Sequence, residues 1–407
     1  MLDSPPPTAV RRRLRQGRDR LATALITAGG IGVIAALLAI GLFLAVEVVP
    51  LFWPSGEASA ISPEALWGGG EAAGDASRHR WAPTATLAPD EAPRISLVPL
   101  AWGTLEAAAW ALVIAVPLAL GAAAHSSLFM SRGLRSRLKP TLELMEALPG
   151  VVVGFVAGLV LAPWVERHLA EVAAALLLLV PGLLLAGGLR SRLPARWREA
   201  LPLGWAGLWL VPWLALVLAA SVWLAPWLEA VAFDGDLRRF LELRLGLDIA
   251  VRNALIVGAA MGFAVMPSVY ALAEDALSGV PSSLAEGAQA LGATRWQTFW
   301  KVVLPAASPG IFSAVMIGAG RAVGETMIVL MASGNAALMT LNPLDGLRSL
   351  AATIAIELPE AGPGSVHYQL LLLAALALFV FTFLVNTLAE LVRTRLRRRY
   401  RRLGGGS

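Results

Sequence analysis

Cysteine is absent from the 407 residues, so neither a disulfide nor a thiolate metal site can form. Histidine is scarce: His79, His125, His168 and His367 lie far apart, without metal-ligand spacing, and no metal site is expected. Charge is sparse too, at 15% of residues, where an average soluble chain carries about 25%. The pattern G-x-x-x-x-G-K-[ST] does not occur, which argues against a P-loop nucleotide site. The net charge of +5 does not point to nucleic acid, because the arginines gather at both ends and in alternate loops.

What is abundant is apolar: 57% of the residues, in long runs separated by short charged blocks. A helix needs roughly 20 apolar residues to cross about 30 Å of hydrocarbon. About eight runs qualify, near 22–46, 97–124, 147–165, 172–189, 204–228, 253–273, 305–334 and 367–389. Gly and Pro inside several of them are tolerated in spanning helices. A buried core in a soluble protein is the other reading, but runs of this number leave too little polar surface to cover them. The fold expected is all-α, a polytopic integral membrane helical bundle. The first run lacks a small-residue cleavage site and reads as an uncleaved anchor.

Lys and Arg beside spans stay on the cytoplasmic side. With the N-terminal Arg11-Arg12-Arg13 cluster inside, the loops carrying Arg132–Lys139, Arg190–Arg198 and Arg295–Lys301 all fall inside. So does the tail from Arg393, which leaves both termini cytoplasmic. The intervening loops are acidic or mixed, as in 53–96 with Glu57, Glu64 and Asp75, or 231–249 with Asp234 and Asp236.

Residues 1–20 form a basic tail expected to be disordered. Residues 21–52 hold the first anchor, and 53–96 an external loop expected to be poorly ordered. Residues 97–165 and 250–395 form the two parts of the core. Between them, 166–249 reads as an extra hairpin of two spans, expected to pack around the core or to receive a regulatory partner. Residues 396–407 are a second basic tail, closing on Gly404-Gly405-Gly406-Ser407, which resembles an appended linker.

The segment 281–305 is too polar to cross a membrane and too apolar for a plain linker. Ser283 and Glu286 have capping-box spacing, so a helix is expected to start there, with Gly292 ending it in the left-handed region. A second amphipathic segment runs from Arg295 to Val303, and Pro305 introduces the next span. Ala288, Leu291, Trp296, Phe299 and Trp300 would expose an apolar surface of the kind that meets a partner. Further on, Arg321 and Glu325 lie inside an apolar run, where a charge costs about 2.5–3.5 kcal/mol on insertion scales. Their i, i+4 spacing would let them pair on one helical face. Gly318, Gly320 and Gly324 would let a neighbouring helix come close. A cation with an acceptor beside it suits monohydrogen phosphate, which carries charge and still has a proton to donate. A purely structural ion pair is the other reading.

The stretch Glu286-Gly287-Ala288, Gly292 and Val302-Val303-Leu304-Pro305 resembles the coupling loop of type I ABC importer permeases. It departs at Gly287 and Val302, and Gly287 weakens the short helix by up to about 1 kcal/mol relative to Ala. Arg321-Ala-Val-Gly-Glu325-Thr326-Met327 with Gly334-Asn335 resembles the corresponding stretch of PstC-like phosphate permeases. Leu142–Phe155 resembles another segment of that family, with Gly150 in place of Ser and Val153 in place of Tyr. The external stretch from Asn342-Pro343 to Tyr368 is similar as well.

The resemblance implies a permease subunit in the bacterial inner membrane, not an enzyme, with Glu286, Gly287, Ala288, Gly292, Leu304 and Pro305 at the ATPase contact. It implies Arg321, Glu325, Thr326 and Asn335 on the substrate path. It further implies a second PstA-like permease, a dimeric ATPase that uses ATP and Mg, and an external phosphate-binding protein. Sulfate, molybdate or phosphonate would suit the same class of permease. A secondary transporter would show paired interrupted spans, and no convincing pair is legible. An intramembrane hydrolase would need a cluster of catalytic side chains, and only scattered candidates exist.

Overall fold

The computed structural model describes residues 9–52, 66, 81–82, 94–192, 194 and 206–404. Among them the only strands form a two-residue ribbon, Trp81–Ala82 antiparallel to Arg94–Ile95. The helices are α1 (Ala9–Phe52), α2 (Val98–Leu128), α3 (Arg132–Glu146), α4 (Gly150–Arg167) and α5 (Leu169–Arg192). After these come α6 (Ala206–Ala232), α7 (Leu237–Leu245), α8 (Ala254–Ser278) and α9 (Ser282–Ala290). The chain ends through α10 (Arg295–Gly324), α11 (Met327–Ala332), α12 (Leu350–Glu357) and α13 (Val366–Gly404). Both α4 and α10 contain a wider π turn, at Ala157–Leu161 and Phe299–Val303. Among the described residues, eight helical stretches are long and apolar enough to span a membrane, as the apolar runs predict.

Small residues set the core spacing. Ala107, Ala111, Ala115, Ala119 and Ala123 recur every fourth residue of α2, all buried. They form one stripe along the helix, and α8 packs along α2 more extensively than any other described pair. At Gly258 of α8 a Cβ would stand 2.6 Å from Trp110 Cβ, so only glycine permits this approach. In lipid no hydrophobic force draws helices together, and such close contact supplies the attraction through dispersion. Next, α10 packs on α8, and α13 packs on α10 and α1. A second apolar cluster joins Leu44, Val48 and Leu51 of α1 to Leu66, Leu97 and Leu371.

The helical path is broken at two places near the core, one just ahead of the span α4 and one inside the apolar run 305–334. The first break lies between α3 and α4, where Pro149 takes an extended conformation (ψ 129°). Proline lacks the amide a helix interior needs and displaces the residue before it. The second lies between α10 and α11. There Glu325 is extended (φ −71°, ψ 123°), so the apolar run 305–334 is not one helix.

Two other expectations change, for the N-terminal tail and for the hairpin. Residues 9–20 continue α1 as helix instead of forming a disordered tail, and residues 1–8 lie outside the described residues. Most of 53–96 lies outside them too, but Leu66 is fully buried and its carbonyl accepts from Leu97 N at 3.0 Å. The hairpin α5–α6 packs on itself, not around the core, and Trp213 Nε1 donates to Gly182 O at 2.8 Å. Its base is tied by Arg238 to Glu166 at 3.0 Å; Arg190 and Arg192 of its Arg-rich joint end α5, and residues 193 and 195–205 are outside the described residues.

Candidate translocation site and coupling segment

Arg321 stands one turn beyond Gly318, the point where α10 touches Val269 of α8. This contact carries the guanidinium across to α8 and α3. Nη1 donates to Glu146 Oε1 at 2.7 Å and to Ser268 Oγ at 3.1 Å. Nε and Nη2 donate to nothing among the described residues. The site is open: the Arg321 and Glu146 side chains keep 35% and 43% of their exposure.

The expected Arg321–Glu325 pair does not form. An i, i+4 contact needs a continuous helix, and α10 ends at Gly324. Glu325 turns instead toward the break between α3 and α4, where a Cβ on Gly150 would lie 3.0 Å from its Oε1. It also accepts from Ile328 N at 3.4 Å. Two four-residue steps therefore face each other, with Glu146 on Arg321 and Gly150 against Glu325. Thr326 Oγ1 donates to Gly324 O at 3.4 Å, beside the same joint. Asn335 is elsewhere, at the opposite end of α11. It holds a left-handed conformation (φ 54°), and its Nδ2 donates to Leu330 O at 3.2 Å.

The joint is clamped by α4 against α11. A Cβ at Gly154 would lie 2.9 Å from Met327 O, and one at Gly158 would overlap the Met331 carbonyl. Of the glycines expected to admit a neighbour, Gly318 and Gly320 do, the latter beside Asn386, whereas Gly324 faces open space.

Ser268 to Glu274 is about 9 Å along α8, toward α9. There the buried Glu274 carboxylate meets Arg135 and, at 3.4 Å, Lys139, both from α3. Lys139 also reaches Asp275 at 2.7 Å. This cluster fixes α3 along α8 and thereby sets the height at which Glu146 meets Arg321.

The coupling segment differs in detail from its sequence reading. Ser283 makes no capping bond, and α9 begins after Pro281. The capping box is instead at Thr294 and Gln297, with reciprocal bonds of 2.9 and 3.2 Å. Gly292 does take the left-handed conformation (φ 90°). Glu286 and Gly287 are exposed, Ala288 is half-buried, and Leu304 and Pro305 follow the π turn of α10. Leu291, Trp296 and Trp300 are exposed as expected, but Phe299 is buried beneath the two indoles.

Residues 112–402 match the family model described as the binding-protein-dependent transport system inner membrane component. The chain belongs to this family. It is 25% identical to the probable ABC transporter permease protein YqgH of Bacillus subtilis, across 94% of this chain and 93% of the relative. It is 27% identical to the phosphate transport system permease protein PstC of Mesorhizobium japonicum, across 74% of each. To PstC 1 of Mycobacterium tuberculosis it is 28% identical, across 72% of this chain and 70% of the relative.

A binding-protein-dependent inner membrane component is an ABC importer permease, and the eight spans fit a multi-pass protein. In this permease, sequence reasoning overlooked Glu146, Ser268 and Glu274. Glu146 carried a signal: it is an acid four residues ahead of Gly150, at the border of an apolar run. No group of three or more His, Cys, Asp or Glu side chains converges on a possible metal site among the described residues. His168 stacks on Trp164, and His367 lies 2.9 Å from Glu357.

Proposed function

We propose that this permease is one of two membrane subunits of an ATP-driven phosphate importer and that Arg321 lines the anion's path. The observation that carries this reading is a guanidinium inside a spanning helix whose Nε and Nη2 donate to nothing among the described residues, beside the breaks at Pro149 and Glu325. A charged side chain in hydrocarbon is costly and usually faces a cavity or a partner; here one nitrogen meets Glu146 and the other two are left to donate. A tetrahedral oxyanion accepts from such donors, and Glu325 and Thr326 stand nearby to accept its proton or contact its oxygens. Relatives named as phosphate transport permeases favour phosphate over sulfate, molybdate or phosphonate.

The second membrane subunit is PstA-like. A dimeric ATPase, which uses ATP and Mg, docks on α9 and the exposed Trp296 and Trp300, and an external phosphate-binding protein delivers the anion. Both termini are cytoplasmic, because the arginine-rich segments share one side. This chain moves substrate and leaves hydrolysis to its partner.

The test is phosphate uptake in cells carrying the full set of subunits, with Arg321→Gln compared at matched membrane abundance. Uptake is expected to fall to background while the subunits still copurify. Uptake equal to that of the unaltered complex would remove Arg321 from the path.

A further inference from the structure

The partner Arg321 does have says how the site is held when empty. Its Nη1 is bonded to the Glu146 carboxylate at 2.7 Å, an arrangement that copies in miniature the contact between a guanidinium and a transported oxyanion. Neither end is locked. Glu146 is the last residue of α3, next to the break, and its carboxylate makes no other hydrogen bond among the described residues. Both side chains keep more than a third of their exposure, so an incoming anion can reach the guanidinium. Ser268, by contrast, is buried and supplies a neutral oxygen that an anion need not displace.

We infer that Glu146 is a resident substitute for the transported anion: it neutralises Arg321 in the empty permease and is displaced from Nη1 when substrate arrives. Glu146 is thus a specificity-determining residue that opposes anion binding. An anion must outcompete a carboxylate already in place, which disfavours weak ligands such as chloride and favours an oxyanion able to take several N–H groups at once. Nε and Nη2 give such an ion a first foothold before Glu146 leaves. Glu325 cannot take this part, since its carboxylate turns toward Gly150 and the amide of Ile328. The inference rests on Arg321 being on the anion path.

The experiment is equilibrium binding of labelled inorganic phosphate to the purified, assembled membrane complex without the external binding protein. Glu146→Gln is expected to tighten binding about fivefold, or about 1 kcal/mol, the upper range for an exposed ion pair. Adding Arg321→Gln to it should abolish the gain. Phosphate and sulfate binding both unchanged in Glu146→Gln, measurable or not, overturns the inference. That leaves the phosphate path to be judged by uptake in Arg321→Gln alone. A gain for sulfate without one for phosphate upholds the counter-ion and overturns the choice of substrate. If Glu146→Gln does not assemble, Glu146→Asp keeps the charge but shortens the reach, and a smaller gain in binding is expected. Failure of both to assemble makes the pair a structural strut and overturns the inference.

Discussion

Glu274 shows how a single residue can be held from two sides and still be unequal to its partners. Its carboxylate is buried, whereas Arg135 and Lys139 each keep about a third of their exposure. Removing a partner from a buried pair costs about 3–5 kcal/mol because a charge is left without compensation. Arg135→Met strands the carboxylate on Lys139 alone at 3.4 Å and should approach the lower end of that range. Glu274→Gln leaves two cations that can turn to water, and should cost about 1 kcal/mol. Thermal unfolding of the purified complex should therefore fall further for Arg135→Met. The reverse order would mean that the cations, not the acid, are the poorly solvated groups.

At the scale of elements, hydropathy located the spans and missed their breaks. A window sum over 305–334 treats Glu325 as one polar residue in an apolar run, whereas the decisive fact is its extended backbone. The i, i+4 reading of Arg321 and Glu325 failed for that reason alone. The break at Pro149 could be read from proline chemistry, but nothing in the sequence told that the two breaks meet. The capping boxes teach a related lesson: Ser283-x-x-Glu286 and Thr294-x-x-Gln297 have the same spacing, and only the second closes. Pro281 already sets the start of α9, so the serine has no part there. Glu286 remains exposed on that helix, free to meet a partner. Reversing its charge by Glu286→Lys should abolish copurification of the ATPase or leave it bound but unable to drive uptake. Normal binding together with normal uptake would take α9 out of the coupling path.

Across the whole molecule, attachment is uneven. The two parts of the core interleave through α2, α8 and α10, while the hairpin α5–α6 touches them chiefly at its base. Its outward side chains, Leu184 and Trp223 among them, suit contact with lipid. A change confined to the hairpin should stay there. Gly182→Leu would drive a side chain into Val217, whose Cγ2 would be 2.8 Å from the new Cβ, at a cost of about 1–3 kcal/mol. Phosphate uptake at matched abundance should be unaffected, and its loss would show that the hairpin acts on the core. The sequence marked this segment as an insertion because it had two apolar runs more than the pattern it resembles. Its self-packing depends on the fit of Gly182 to Val217 and Trp213, which hydropathy does not register.

The unbroken length of α1 has a mechanical result. Its 44 residues rise about 66 Å, twice the thickness of a bilayer's hydrocarbon. Residues 9–21, ahead of the apolar run, form about 20 Å of that rise and continue it as one stiff rod. The helix is thus longer than the hydrocarbon layer is thick, and its basic end extends beyond the apolar run. Any lean of the buried part is therefore copied by the protruding part, like the needle of a gauge, and a motion inside the bilayer is readable from the water.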